Sequence, residues 1–261
     1  MNTMKKIFSP FGRINRQTFM ILGVVQALVA LVLWHFASNG LIPRPLKVAD
    51  AFIKLITSKN LLDNVLVSFV LTIKAMAISI IITLFFSYLS VIPFFKNIAL
   101  FLVKCRYLTL TGLIFIFTLL TQDGSQLKLS LLIFGIVPFF VTSFLAVIVT
   151  TDNQQFEICK TLGYSNWETL YEVIIVGKAD QVLEIIRQNF AITWLMITLV
   201  EGLSMSEGGV GTMLIKFNKY NDLTNVLALQ LVIFVIGLFF DFILGNLKYW
   251  LFPYTKLQIQ R

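Results

Sequence analysis

Three stretches of this chain run for about the thickness of a bilayer without a charged side chain, and a fourth carries a single one. Residues 19–36, 129–150 and 223–240 contain no Asp, Glu, Lys or Arg, and residues 65–91 contain only Lys74. A helix needs about 20 mostly apolar residues to cross the hydrocarbon core of a membrane. Of the whole chain, 57% is hydrophobic and 13% charged. A soluble domain averages about 25% charged residues. The class is therefore an all-α polytopic membrane protein. Two further spans complete a six-span reading. Residues 98–120 are apolar but hold Lys104 and Arg106, so this third span is expected to start near Lys104, with both side chains reaching the interface. Residues 188–200 begin the fifth span after a polar helical lead-in at 178–187.

The connections are legible in outline. Pro43 and Pro45 fix an extended segment after the first span. Residues 46–56 then form a short surface helix, with Leu46, Ala49, Phe52, Ile53 and Ile56 on the membrane face and Lys47, Asp50 and Lys54 opposite. Pro138 is expected to kink the fourth span. The segment EGLSMSEGGVG, which follows the fifth span, reads as flexible and non-helical. A further short helix over 213–220 follows it. The domains are then residues 1–18 as an N-terminal segment, 19–246 as the six-span unit and 247–261 as a tail.

The net charge of +8 does not mark a nucleic-acid partner, because the basic residues are dispersed between apolar runs rather than gathered in one patch. Their placement suits membrane lipid and topology. More Lys and Arg fall on the side of the N-terminus, of Lys96, Lys104 and Arg106, of Lys160, Lys178 and Arg187, and of the tail than on the other side. That bias puts both termini in the cytoplasm. The basic start before the first run is a retained span's flank, since the run is too long for a signal peptide. Cys105 and Cys159 form no metal-spaced cluster and read as reduced, packed residues. His35 reads as an interfacial residue.

The longest polar island is FEICKTLGYSNWETLYEVIIVG, at 156–177. Asp152 with Gln155, and Ser165 with Glu168, match the capping-box pattern in which a side-chain acceptor and a reaching carboxylate or amide satisfy orphan N–H groups. Gly163 between them suits the left-handed turn that ends a helix. In the second helix Trp167, Leu170, Tyr171 and Ile174 fall at i, i+3, i+4 and i+7, giving one apolar face with Glu168 and Glu172 opposite. Gly177 stops it. On local pattern alone, an ordinary connection between spans is the simpler reading.

No catalytic constellation appears: no HExxH, GxSxG, P-loop or metal-spaced carboxylates. An enzyme is not expected, and neither is a cofactor. Three charges lie in or at the edge of spans, Lys74, Glu201 and Asp241, and such charges mark function by default. Lys74 is too deep for its side chain to reach the interface, so it is expected to face the protein interior or a water-filled path. Thr72, Ser79 and Thr83 would share its polar stripe along that path. Packing between helices through their hydroxyls is the simpler reading of each alone.

The polar island resembles the EAA loop of ABC importer permeases. Glu157-Ile158-Cys159-Lys160-Thr161-Leu162-Gly163 keeps that motif's Glu and Gly at their spacing. TLGYSNWETLYEVIIVG resembles the nitrate/sulfonate/bicarbonate (taurine-type) branch, as do the proline-bearing 41–56, Trp194, Glu201, GGVGTMLI, Asp241 and YWLFPY. Departures are Ile158 and Cys159 in place of two alanines, Gly177-Lys178 where a proline is usual, and a second span without the branch's glycine pattern. The resemblance covers about 41–254. It implies a permease fed with a small, anionic solute by a periplasmic or lipid-anchored binding protein. It also implies a separate ATP-binding subunit engaged through Glu157, Lys160, Gly163, Trp167 and Glu168, and a second permease copy, identical in the simplest case. Thr72, Lys74, Ser79, Thr83, Trp194 and Glu201 are the candidates for the translocation path. The alternative is an ion-driven secondary transporter or channel that needs no ATPase.

Overall fold

The structure, a computed structural model, describes residues 15–38 and 42–253. The basic N-terminal segment up to Ile14 and the end of the tail, with Lys256 and Arg261, lie outside the described residues. All regular structure in the described residues is helical. In chain order the helices are α1 (Arg16–Ala37), α2 (Pro45–Thr57), α3 (Lys59–Leu89), α4 (Pro93–Lys104), α5 (Leu110–Leu120), α6 (Gly124–Val149), α7 (Asn153–Thr161), α8 (Asn166–Thr169), a π-helical segment (Leu170–Val176), α9 (Ala179–Leu203), α10 (Val210–Lys219) and α11 (Leu223–Leu251).

Proline opens two of these helices. Pro45 and Pro93 each sit in the first turn, where the missing N–H costs nothing and the fixed φ suits the helix. Five helices are long and apolar enough to cross a membrane: α1, α3, α6, α9 and α11. A sixth crossing exists only if α4 and α5 count as one broken span, since they are bent by 112°. The sequence reading of one third span starting near Lys104 is corrected here. The helix ends at Lys104, passes through a 3-10 turn at Cys105–Tyr107, and resumes at Leu110 after extended Leu108 and Thr109. Lys104 and Arg106 thus lie at a corner, where an exposed charge is not forced through hydrocarbon.

Helix α6 is the centre. It packs on α3, α9, α4 and α5 and buries Leu131, Leu132, Ile136, Phe140, Val141 and Phe144. On the other side α11 packs on α2, α9 and α10. Helix α1 stands apart: none of its apolar window is buried, and it touches α2. An apolar helix left exposed by the other described residues suits contact with lipid.

Helix α2 corrects a second expectation. Val48, Ala51 and Leu55 are its buried face, set against α11, a stripe the sequence reading did not select. Leu46, Ile53 and Ile56 are exposed beside it, and Lys47, Asp50 and Lys54 form a third, charged stripe. A helix with a protein face, an apolar outer face and a charged face suits a membrane boundary.

Candidate functional site

The two ends of the bundle are built differently, and α6, at 26 residues, separates them by about 39 Å. At the Val149 end lies the loop 152–177. Asp152 caps α7 by accepting from the N–H of Gln154 at 3.1 Å. Gly163 turns left-handed at φ 81°, and its N–H donates to the Lys160 carbonyl at 3.0 Å. Ser165 and Glu168 form a complete capping box: the Ser165 N–H donates to Glu168 Oε2 at 2.7 Å, and the Glu168 N–H to Ser165 Oγ at 3.3 Å. These bonds favour the ionised carboxylate and hold the Glu168 pKa below its ordinary value.

The expected apolar face of the second helix does not form. After one turn the α-helix widens into the π-helical segment Leu170–Val176. The wider turn brings Val173 and Ile174 inward together, where they pack with Cys159, Phe156, Leu170, Tyr88 of α3 and Ile148 of α6. Trp167 and Tyr171 stay outside, 68% and 55% exposed, on the same cleft as Glu168 and Glu172 rather than opposite them. Gly177 closes the π turn through its N–H to the Glu172 carbonyl at 2.9 Å. A Cβ there would sit 2.7 Å from the Val173 carbonyl oxygen, so the turn itself requires glycine. Glu157 and Lys160 are exposed on α7. All five loop residues named from the sequence thus lie on one outward knuckle, clamped to the ends of α3 and α6 by a small apolar cluster.

The proposed path residues separate. Thr72, Ser79 and Thr83 are buried in the bundle, whereas Lys74 is exposed. Helical geometry puts Lys74 about 140–200° around α3 from each of them. The single polar stripe is therefore corrected: the hydroxyls face inward and the lysine outward. Trp194 is buried, and its indole N–H donates to the Ile233 carbonyl of α11 at 3.0 Å. It also lines a groove of about 490 Å³ between α9 and α11. At the end of that groove near the loop, Arg187 pairs with Asp241 at 3.5 Å and with Glu184 at 3.3 Å, while Lys248 holds Glu184 at 2.9 Å.

Glu201 is fully buried at the other end of the bundle. Its Oε1 accepts from the Ser68 hydroxyl at 2.7 Å and its Oε2 from the Gly211 N–H at 2.8 Å. Around it the chain makes a non-helical turn with three positive φ angles in a row, at Glu207, Gly208 and Gly209. Lys128, itself buried, donates to the carbonyls of Ser206 and Gly208. Asn64 accepts from the Gly209 N–H at 2.7 Å and Ser68 from the Val210 N–H at 2.9 Å. The segment read as flexible is thus pinned by side chains from α3, α6 and α9. Sequence reasoning did not select Lys128, which directly precedes the apolar run 129–150. The available signal was its position beside that run, four residues after Gly124.

The chain matches the family described as "Binding-protein-dependent transport system inner membrane component" over residues 51–252. Among solved structures it is similar to a chain of an amino acid ABC transporter crystallised with histidines. That likeness has a TM-score of 0.61 at 18% identity and covers 78% of this chain and 95% of the other. No curated protein sequence matches it. The chain belongs to the family of inner-membrane components of binding-protein-dependent transport systems. It is the membrane permease subunit of an ABC importer, and the ion-driven alternative is not favoured.

Proposed function

We propose that this permease forms the translocation path for a small, anionic solute and takes its power stroke through residues 152–177 from a separate ATP-binding subunit. In this reading the protein sits in a bacterial inner membrane with both termini and the knuckle in the cytoplasm. Two copies enclose the path, and a periplasmic or lipid-anchored binding protein delivers solute to the end where Glu201 lies. The motifs of 41–254 support a place in the nitrate/sulfonate/bicarbonate branch.

The observation that carries the reading is mechanical. The knuckle is exposed and charged, stiffened by two caps and a left-handed glycine, and locked through Cys159, Val173 and Ile174 to Tyr88 and Ile148. A displacement applied there moves the ends of α3 and α6 together instead of dissipating in a slack loop. Gly163→Pro tests it. Proline cannot adopt φ 81° and removes the N–H that bonds Lys160. Membrane insertion should remain and ATP-driven uptake should vanish; unchanged uptake would remove the loop from the mechanism.

A further inference from the structure

Three aromatic rings and two carboxylates share one open cleft on the knuckle. Tyr164, Trp167, Glu168, Tyr171 and Glu172 line about 450 Å³, and the three rings are between 42% and 68% exposed. Glu168 accepts its bonds from Ser165 through Oε2 alone. Among the described residues Glu172 makes no side-chain hydrogen bond or ion pair, and no cation pairs with either carboxylate. Exposed rings beside carboxylates that no described cation neutralises form a site complementary to a cationic side chain.

We propose that the cleft receives one cationic side chain, an arginine, from the ATP-binding subunit. This rests on the coupling reading above and names the chemistry of that contact. The faces of Trp and Tyr attract a cation through their quadrupole. A carboxylate offers the guanidinium fork two parallel bonds, and arginine is more weakly hydrated than lysine, so it is covered at lower cost. An apolar side chain in the same place would bury Glu172 without a partner. An anionic lipid surface would meet two like charges. Only a cation satisfies rings and carboxylates together.

The test uses the assembled importer in nanodiscs. Glu172→Gln changes a side chain that makes no hydrogen bond or ion pair among the described residues, so melting should not move. Glu172→Gln and Trp167→Leu should each weaken rebinding of the ATP-binding subunit by roughly tenfold. The Glu172→Gln complex should also lose part of the salt sensitivity of the wild type. A photo-crosslinker at Ile158, exposed and outside the cleft, reports separately whether the loop sits on that subunit. Capture from Ile158 with both variants binding as the wild type overturns the cleft and leaves the coupling reading standing. No capture from Ile158 overturns both. A crosslinker at Trp167 should capture a peptide carrying arginine; capture of lipid, or of a peptide without a cation, overturns the proposal.

Discussion

Ser68 on α3 donates its hydroxyl to Glu201 on α9 at 2.7 Å, although 133 residues separate them in the chain. The same serine accepts from the N–H of Val210, and the same carboxylate accepts from the N–H of Gly211. Two spans and the start of α10 are therefore joined by one buried carboxylate. Lys128, also buried, is bonded to the Gly208 carbonyl of the intervening turn. Truncating one member of a buried charged set costs about 3–5 kcal/mol, because the other charge is left uncompensated. Glu201→Ala should lower the apparent melting temperature strongly, and adding Lys128→Met should recover part of the loss. A double variant no more stable than Glu201→Ala would show that the two charges do not balance each other.

Glycine substitutions should rank by what surrounds them. A Cβ on Gly211 would overlap the backbone carbonyl of Thr198, and one on Gly209, at φ 112°, would overlap the Glu201 carboxylate. Gly163 has positive φ but open space, and Gly23 in α1 has no neighbour within 4 Å. Gly211→Ala and Gly209→Ala should be the most destabilising. Gly163→Ala should cost about 1 kcal/mol from the left-handed backbone alone, and Gly23→Ala should stabilise its helix by roughly 0.5–1 kcal/mol. Thermal melts of the four variants check the order.

The Glu168 cap carries a pH dependence of known sign. Hydrogen bonds from Ser165 lower its pKa in the folded loop. Its contribution is therefore present above the ordinary glutamate pKa of about 4.3 and is lost as pH falls through the lower, folded value. Amide exchange at residues 165–169 should stay slow on acidification until that range and then rise. Glu168→Gln should remove the step.

Lys74 lies midway along the 31 residues of α3, about 22 Å from either end, and is exposed. As a path residue for an anion it predicts that Lys74→Gln cuts uptake severalfold without altering melting. A stable Lys74→Leu protein with normal transport would place this side chain against lipid or a neighbour instead.

The pair Arg187–Asp241 joins α9 to α11 with the aspartate more than half exposed. An exposed pair contributes about 0–1 kcal/mol, so Asp241→Asn should shift melting little. Glu184 holds both Arg187 and Lys248, so Glu184→Ala should cost more than Asp241→Asn in the same melts.

Much of this was legible in the sequence because it depends on neighbours in the chain. The apolar runs fixed four of the spans, since solvation by hydrocarbon acts on each stretch separately. Capping by Asp152 and Ser165 and the left-handed Gly163 are contacts over a few residues, and pattern reports them; Pro45, read as extended, instead opens α2. Tertiary packing decided the rest. Whether Thr72 or Lys74 faces inward is set by the partner helix that α3 meets, and no periodicity names that partner. The buried stripe of α2 was misread for the same reason: three faces compete and only α11 selects one. The π turn at Leu170–Val176 overrides an α-helical pattern because burying Val173 and Ile174 together outweighs regular bonding. Lys128 and Glu201 show the limit most plainly. A lysine beside a loop and a glutamate at a span end each look solvated alone, and only the folded chain brings them, with Ser68 and Gly211, into one dry junction.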